Sequence, residues 1–362
     1  MTSSLNDSLQ IILPDLHHSL VTADALQPIV MLTRLLPPIH CAGFECRLGG
    51  NSTHVDFQQR VLANRSEPEQ LRTHILESGW LSVSPWARIN ALCSHLNNPS
   101  SVLYDKVAEF WMEFDIPPSS PDIPIPSVFL SLRRPFPGNI FLKIAASILA
   151  LLQDKPAPAR LLSNLRYISQ VCPEGAGVID IGMLLARNTE IIRANVGNIP
   201  PDQVKSFLET IRWCGNMDAL VDTYQRLSAL ADRMSLCLDV GAEIYPRIGL
   251  ECFIAPQTDK TPLWVQLIDE LTGSGLCAPS KGEALLIWPG YTYPTSRPVH
   301  WPVGLMVESM LGPPDRFSVM GRRLSHIKLD YIPKQAVTAK GYFGFGRLWL
   351  QAAVRSRNHC FI

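Results

Sequence analysis

The 362-residue sequence has no excess of charge of either sign and no long apolar run. Lysine and arginine together number 32, and aspartate and glutamate also number 32, so the formal net charge is zero. A chain without a basic surplus offers no electrostatic case for a nucleic-acid partner. No apolar stretch approaches the roughly 20 residues that a helix needs to cross a bilayer, so we expect no membrane span.

Signals for metal sites and disulfides are also scarce. The nine cysteines are scattered without a CxxC pair, and no His/Cys cluster has the spacing of zinc ligands. We interpret Cys46, Cys237 and Cys252, which lie within strand patterns, as small buried residues of a reducing compartment. The stretch from Met1 to His18 lacks the basic start and apolar run of a signal peptide. The expected location is therefore cytoplasmic, with no structural metal.

What the sequence does contain is strand-like alternation, clearest in the segment 234–254. Leu250 and Cys252 point to one face of the second strand there, whereas Arg247 and Glu251 point to the other. A period of two with one apolar and one charged face is typical of a strand buried on one side. We therefore predict a hairpin whose polar face contacts water or a ligand.

Similar strand pairs recur along the chain, and helical patterns separate them. The predicted pairs lie at 29–50, 107–133, 178–199, 234–254 and 324–345. The predicted helices lie at 66–78, 84–96, 140–153, 157–171, 200–214, 216–231, 262–271 and 279–287. We divide the chain into an N-terminal arm or helix (1–27), a single barrel domain (28–350) with a Pro-rich loop inside it (289–315), and a tail (351–362).

This order predicts an α+β protein of five αββα repeats that form a ten-stranded antiparallel β-barrel surrounded by helices. Helices on the outside explain why one face of each hairpin is apolar, and closure removes the sheet edges. Ten strands enclose more space than side chains fill, so we expect a solvent-filled chamber lined by the polar faces.

The repeat order resembles the ABBA, or PT-barrel, fold of aromatic and peptide prenyltransferases. Indole prenyltransferases carry Lys-x-Tyr and Arg-x-Lys pairs on lumen strands, where they hold the diphosphate. The segment Lys340–Tyr342 matches the first pair, and His326–Lys328 matches less closely. Where Arg-x-Lys is expected, the sequence instead has Arg247–Gly249, followed by Glu251.

The resemblance implies a transferase that moves a prenyl group from an allylic diphosphate donor to an aromatic small molecule or a peptide side chain. Cations would hold the leaving group, and aromatic faces would shield the allylic cation. The candidate substrate-binding residues are Arg47, Trp111, Arg193, Arg247, His326, Lys328, Lys340 and Tyr342. A carboxylate would take the proton from the acceptor. The candidate catalytic carboxylates are Glu45, Glu113, Asp115, Asp239 and Glu251.

The predicted lumen is unusually acidic, because Asp330 joins the five catalytic candidates. Carboxylates so close together raise one another's pKa unless they are paired. An acidic lining also opposes a diphosphate unless Mg²⁺ bridges the two, so no cofactor is assigned and Mg²⁺ is the one considered. The alternative is that Lys328 and Lys340 pair with Asp330 or Glu251 across the sheet.

Two other functions remain open on the same barrel. In one, the lumen carboxylates act as acid and base in the modification or cyclisation of a peptide or small molecule. In the other, the chamber or the Pro-rich loops bind a peptide without catalysis. Fold alone decides none of these, and the sequence leaves the oligomeric state open.

Overall fold

The computed structural model describes residues 4–39, 41–50, 52–63, 65–116, 123–187, 189–255, 262–296, 301–312 and 316–351. The strands of this part are β1 Cys41–Arg47, β2 Val55–Leu62, β3 Val107–Phe114, β4 Ser127–Leu132, β5 Gly177–Met183, β6 Ile192–Gly197, β7 Arg233–Val240, β8 Ile244–Phe253, β9 Gly290–Thr292, β10 Arg316–Tyr331 and β11 Thr338–Gln351. The helices are α1 Leu5–Ile12, α2 Ala23–Leu35, α3 Glu67–Glu77, α4 Ser84–Asn97, α5 Gly138–Gln153, α6 Ala159–Val171, α7 Val204–Thr210, α8 Met217–Ser228, α9 Pro262–Gly273, α10 Pro279–Ile287 and α11 Val303–Leu311.

Ten of these strands close into a barrel. Strands β1 to β8 pair in chain order, β8 pairs with β10, β10 pairs with β11, and β11 returns to β1. Every pairing is antiparallel, and the short strand β9 adds to β10 alone. The prediction of a ten-stranded antiparallel barrel surrounded by helices is confirmed.

Side chains alternate along each strand, so that one face packs against the surrounding helices and the other faces the lumen. On β3, Phe110, Met112 and Phe114 are fully buried on the outer face, whereas Trp111 and Glu113 project inward. Burial of large apolar side chains is the main stabilising term, at about 1.5–3 kcal/mol for each one. The outer face therefore holds the core, and the inner face is left for polar groups.

The first predicted strand pair is wrong in its first half. Residues 29–35 belong to helix α2. This helix begins after Thr22, whose side chain accepts a hydrogen bond from the Ala25 amide. Ile29 and Leu32 are buried at helical spacing, but the surrounding run is almost continuously apolar, so its period was not readable. The proposed boundary between residues 27 and 28 falls inside this helix.

The true partner of β1 is β2, a strand that was not predicted. Phe57 and Val61 are buried on the outer face, and Asp56, Gln58 and Arg60 alternate with them. The strand therefore carries the same period of two as the hairpins that were recognised. It brings a further carboxylate and an amide to the barrel interior.

The last hairpin is longer than predicted. Strands β10 and β11 pair over their whole length, so the hairpin continues beyond the barrel wall formed with β1 and β8. Within the Pro-rich segment 289–315, the structure contains helix α11, and β9 pairs with β10. Residues 297–300, 313–315 and 352–362 lie outside the described residues. None of the described helices has the length and apolarity required to cross a membrane.

The barrel closes where two glycines face each other. Gly43 of β1 pairs with Gly344 of β11. A Cβ atom on Gly344 would lie 2.6 Å from the Ala42 carbonyl oxygen, and one on Gly43 would lie 2.9 Å from the Phe343 oxygen. Both distances are shorter than a side chain tolerates, so the two backbones approach closely because neither residue has a side chain.

Candidate active site

A cavity of about 540 Å³ opens at the end of the barrel where β1 ends and β2 begins. Its charged lining is balanced, with five carboxylates and five cations in addition to His54. The carboxylates are Glu45, Asp56, Glu113, Asp115 and Asp330, and the cations are Arg47, Arg187, Arg193, Arg247 and Lys340. We call this cavity the mouth. The predicted polar chamber is therefore present, but it occupies only one end of the lumen.

Two arginines lie at the outer edge of the mouth. Arg187 holds Asp115 through two hydrogen bonds of 2.7 and 2.9 Å, and both side chains are partly exposed. Arg47, at the end of β1, is exposed. These groups face solvent, so any ligand that enters the barrel passes them first.

Asp330 lies among the cations of the mouth. It contacts the Arg247 guanidinium, and the Lys340 ammonium is 3.4 Å away. Burial alone would raise the pKa of Asp330, but attraction by Lys328, Arg247 and Lys340 outweighs burial and lowers it to about 2. Asp330 is therefore ionised at neutral pH.

Asp239 extends this set of ion pairs across β7. Its carboxylate accepts a hydrogen bond of 2.8 Å from Arg247 and lies 3.6 Å from Arg193. Arg247 thus binds two carboxylates at once, one on β7 and one on β10. Both of the predicted arginines on β6 and β8 point into the barrel.

The Lys-x-Tyr pair of β11 converges on one carboxylate. The Lys340 ammonium and the Tyr342 hydroxyl each lie 2.5 Å from an oxygen of Glu45. Burial opposes ionisation of Glu45, but these two neighbours lower its pKa overall. Burial, reinforced by the charge of Glu45, raises the pKa of Tyr342, which therefore stays protonated and donates the hydrogen bond.

Glu113 is in a different state from Glu45. The side-chain amide of Gln58 donates a hydrogen bond of 3.2 Å to Glu113. Among the described residues, Glu113 forms no ion pair with a lysine or arginine. Burial, reinforced by the charge of Glu45, raises the pKa of Glu113 to about 7. Glu113 can therefore accept or release a proton near neutral pH.

Glu45, Asp56 and Glu113 come close enough to suggest a metal site, with ligand oxygens all within 4.8 Å of one another. However, Lys340 and Tyr342 already occupy both oxygens of Glu45. The His54 ring and the Ile116 amide also contact the two oxygens of Asp56. Mg²⁺ requires near-octahedral oxygen coordination, and this set does not fit a resident ion. The expected role of Mg²⁺ stays a prediction.

Beneath the mouth, polar side chains fill the lumen. The Lys328 ammonium lies 2.8 Å from Glu251, which also accepts hydrogen bonds of 2.9 Å from Ser235 and 3.0 Å from Asn195. We call these four buried residues the inner layer. Burial would raise the pKa of Glu251, but attraction by Lys328 outweighs it and lowers the pKa to about 2. The alternative that Lys328 pairs with Glu251 across the sheet is confirmed.

Glycines on the lumen face give room to neighbouring side chains. A Cβ on Gly249 would lie 2.5 Å from Lys328 Cε, and one on Gly182 would lie 2.4 Å from the ring of Phe129. Each of these two side chains lies over a glycine of the neighbouring strand. The space left on the lumen face by the missing side chains is therefore occupied by other groups of the protein.

An aromatic stack lies beside the inner layer. The ring of His326 lies between Tyr342 at 4.0 Å and Phe253 at 4.6 Å, and the Arg233 guanidinium covers Phe253 at 4.1 Å. Burial lowers the pKa of His326 to about 4, so the ring is neutral at pH 7. Trp111 lies away from the mouth, where its indole nitrogen donates to Glu109.

Solved structures resemble this chain over nearly its whole length. The apo form of the prenyltransferase PriB gives a TM-score of 0.55 at 14% identity, covering 94% of this chain and 96% of that one. The chain has the PT-barrel fold. The 5-dimethylallyltryptophan synthase of Streptomyces coelicolor gives 0.51 at 15% identity, covering 94% and 97%. No protein-family model and no curated protein sequence matches the chain.

The predicted site residues lie at four places in this PT barrel. The mouth contains Glu45, Glu113, Asp115, Arg47, Arg193, Arg247 and Lys340. Asp239 lies between Arg193 and Arg247. The inner layer and the adjacent stack contain Glu251, Lys328, Tyr342 and His326. Trp111 lies with Glu109 and Arg60, so it does not shield the mouth.

Sequence reasoning missed several polar groups of the PT barrel. Asp56 and Gln58 were missed together with β2, although the alternation of that strand was available as a signal. Asp180 of β5, whose pKa burial raises to about 6, receives a hydrogen bond from Asn195. Arg187 follows β5, and no local pattern indicated that it would reach the mouth.

Proposed function

We propose that this PT barrel is a transferase that moves a prenyl group from an allylic diphosphate to an aromatic small molecule or a peptide side chain. The observation that supports it is the convergence of Arg247, Lys340, Lys328 and Arg193 on the position of Asp330, at the wall of an open cavity. Ionisation of an allylic diphosphate places negative charge on the leaving group, and several fixed cations stabilise that charge.

Glu113 is the proposed proton acceptor. In the reaction the allylic carbon–oxygen bond breaks, a bond forms between that carbon and the acceptor, and diphosphate leaves. The acceptor must then lose one proton. Of the carboxylates in the mouth, Glu45 is held by Lys340 and Tyr342. Glu113 accepts from an amide donor alone in the part of the chain that the structure describes, and its pKa is about 7. A base with that pKa is suited to neutral conditions.

Binding of the donor is the direct test. Calorimetric titration with dimethylallyl diphosphate, with and without Mg²⁺, should show saturable binding that Arg247→Met abolishes. Lys155→Met provides the matched control, because Lys155 forms an exposed ion pair with Glu190 and neither residue lines the cavity. Incubation with aromatic amino acids and peptides, followed by mass spectrometry, would identify the acceptor. Failure of every allylic diphosphate to bind would reject the proposal.

A second function is favoured by the equal number of carboxylates and cations in the mouth. An acid–base enzyme acting on a peptide or small molecule needs carboxylates with different pKa values, and Glu113 and Glu45 provide them. In that case Glu113→Gln and Glu45→Gln should abolish the conversion of a peptide or small molecule that is offered without any diphosphate. A cytoplasmic location stays a prediction under either function.

A further inference from the structure

Asp330 lies where an anionic ligand of the mouth would be expected. Its carboxylate lines the cavity, its side chain is 5% exposed, and it bridges Arg247 and Lys340. Arg193 and Lys328 also act on it electrostatically. A single small carboxylate therefore lies within a group of four cations drawn from β6, β8, β10 and β11.

Each of these cations has another carboxylate partner. Lys340 pairs with Glu45 at 2.5 Å, and Lys328 pairs with Glu251 at 2.8 Å. Arg247 and Arg193 share Asp239, at 2.8 and 3.6 Å. None of the four cations therefore depends on Asp330 alone for its counter-charge.

The charge count shows what Asp330 adds. The four cations carry four positive charges, and Glu45, Asp239 and Glu251 carry three negative charges, which leaves one positive charge. Asp330 brings the sum to zero. Without this carboxylate the cluster would attract any anion that entered the mouth, because partly buried charges are only weakly screened.

We propose that Asp330 determines which anions the mouth accepts, by occupying the position of a phosphoryl group until a diphosphate displaces it. This inference rests on the proposed function. A single phosphate that displaces Asp330 only exchanges one anion for another at Arg247 and Lys340. A diphosphate carries two phosphoryl groups, and the second gains contacts with further cations. The Asp330 carboxylate repels anions, and a repulsive group of this kind is a common source of specificity for one ligand over another.

The test uses inorganic pyrophosphate and inorganic phosphate as probes, with calorimetric titration of the full chain. The wild type should bind pyrophosphate and show no measurable binding of phosphate. Asp330→Asn should bind pyrophosphate at least about ten-fold more tightly and should bind phosphate measurably, because one like charge has been removed at close range. Glu69→Gln is the matched control, because it removes a carboxylate paired with Arg72 on helix α3, outside the barrel. Its affinities should equal those of the wild type.

The outcomes separate this inference from the proposed function. Equal pyrophosphate affinity in the wild type and Asp330→Asn would overturn the role of Asp330 and leave the proposed function standing. Absence of pyrophosphate binding in all three proteins would overturn the proposed function itself. Asp330→Ser, checked for folding by circular dichroism, repeats the charge removal with a smaller side chain. If both folded variants bind phosphate no better than the wild type, the inference is wrong.

Discussion

The ion pair of the inner layer should dominate the response of the barrel to a single conservative substitution. Glu251→Gln removes the charge that faces Lys328, which is only 4% exposed. Removing one partner of a buried pair typically costs about 3–5 kcal/mol, because the other charge stays buried without compensation. We expect a loss of that size in the free energy of unfolding at pH 7.

The pKa of Glu251 gives a second measure of the same interaction. It is about 2 in the folded chain, against an ordinary value of 4.5. That difference corresponds to about 3 kcal/mol of stability at neutral pH. Because the folded-state pKa is lowered, this contribution is complete above pH 4.5 and disappears as the pH falls toward 2. The two magnitudes agree.

Urea unfolding followed by circular dichroism would test the prediction in a double-mutant cycle of Glu251→Gln and Lys328→Met. The double variant should recover much of the loss, since no buried charge remains unpaired. Removal of the exposed pair Lys155–Glu190, which has the same 2.8 Å separation, should change stability little. A loss below about 1 kcal/mol in Glu251→Gln would contradict the reasoning.

Three further predictions follow from the mouth and the lumen. The turnover rate should rise with pH through about 7 as Glu113 loses its proton, and Glu113→Gln should lower kcat about 10²–10⁴-fold and remove that dependence; an unchanged profile would exclude Glu113 as the base. Gly249→Ala should lower stability by about 1–3 kcal/mol in urea unfolding, because its Cβ meets Lys328 Cε at 2.5 Å, whereas Gly273→Ala, which meets no neighbour, should not. EDTA should leave the melting temperature unchanged, because the oxygens of Glu45 are already occupied; a clear decrease would reveal a resident metal.

Most of the barrel could be predicted because alternation is a local property. Strands β3 and β8 each show their inner and outer faces within eight to ten residues, and the structure places them as expected. The same signal was present in β2 but was not used. Helix α2 could not be recognised in this way, because an almost continuous apolar run has neither a period of two nor a period of 3.6.

The ion pairs of the site could be predicted only as alternatives. Tyr342 and Glu45 are 297 residues apart and meet because β11 returns to β1. Which carboxylate faces which cation depends on the register of such non-local pairings, and no local pattern specifies it. The packing on the lumen face was missed for the same reason, since Lys328 and Phe129 lie over glycines of the strands that pair with their own.

The glycine contact between β1 and β11 has a consequence for how the barrel is made. Gly43 and Gly344 can meet only after almost all of the described chain has been synthesised. Until then the strand edges of β1 and β10 have no partner at this junction, and unpaired edges favour association with other chains. Closure also requires a very long loop to form, which slows folding. A nascent chain of this protein is therefore most exposed to aggregation in the interval before β11 emerges.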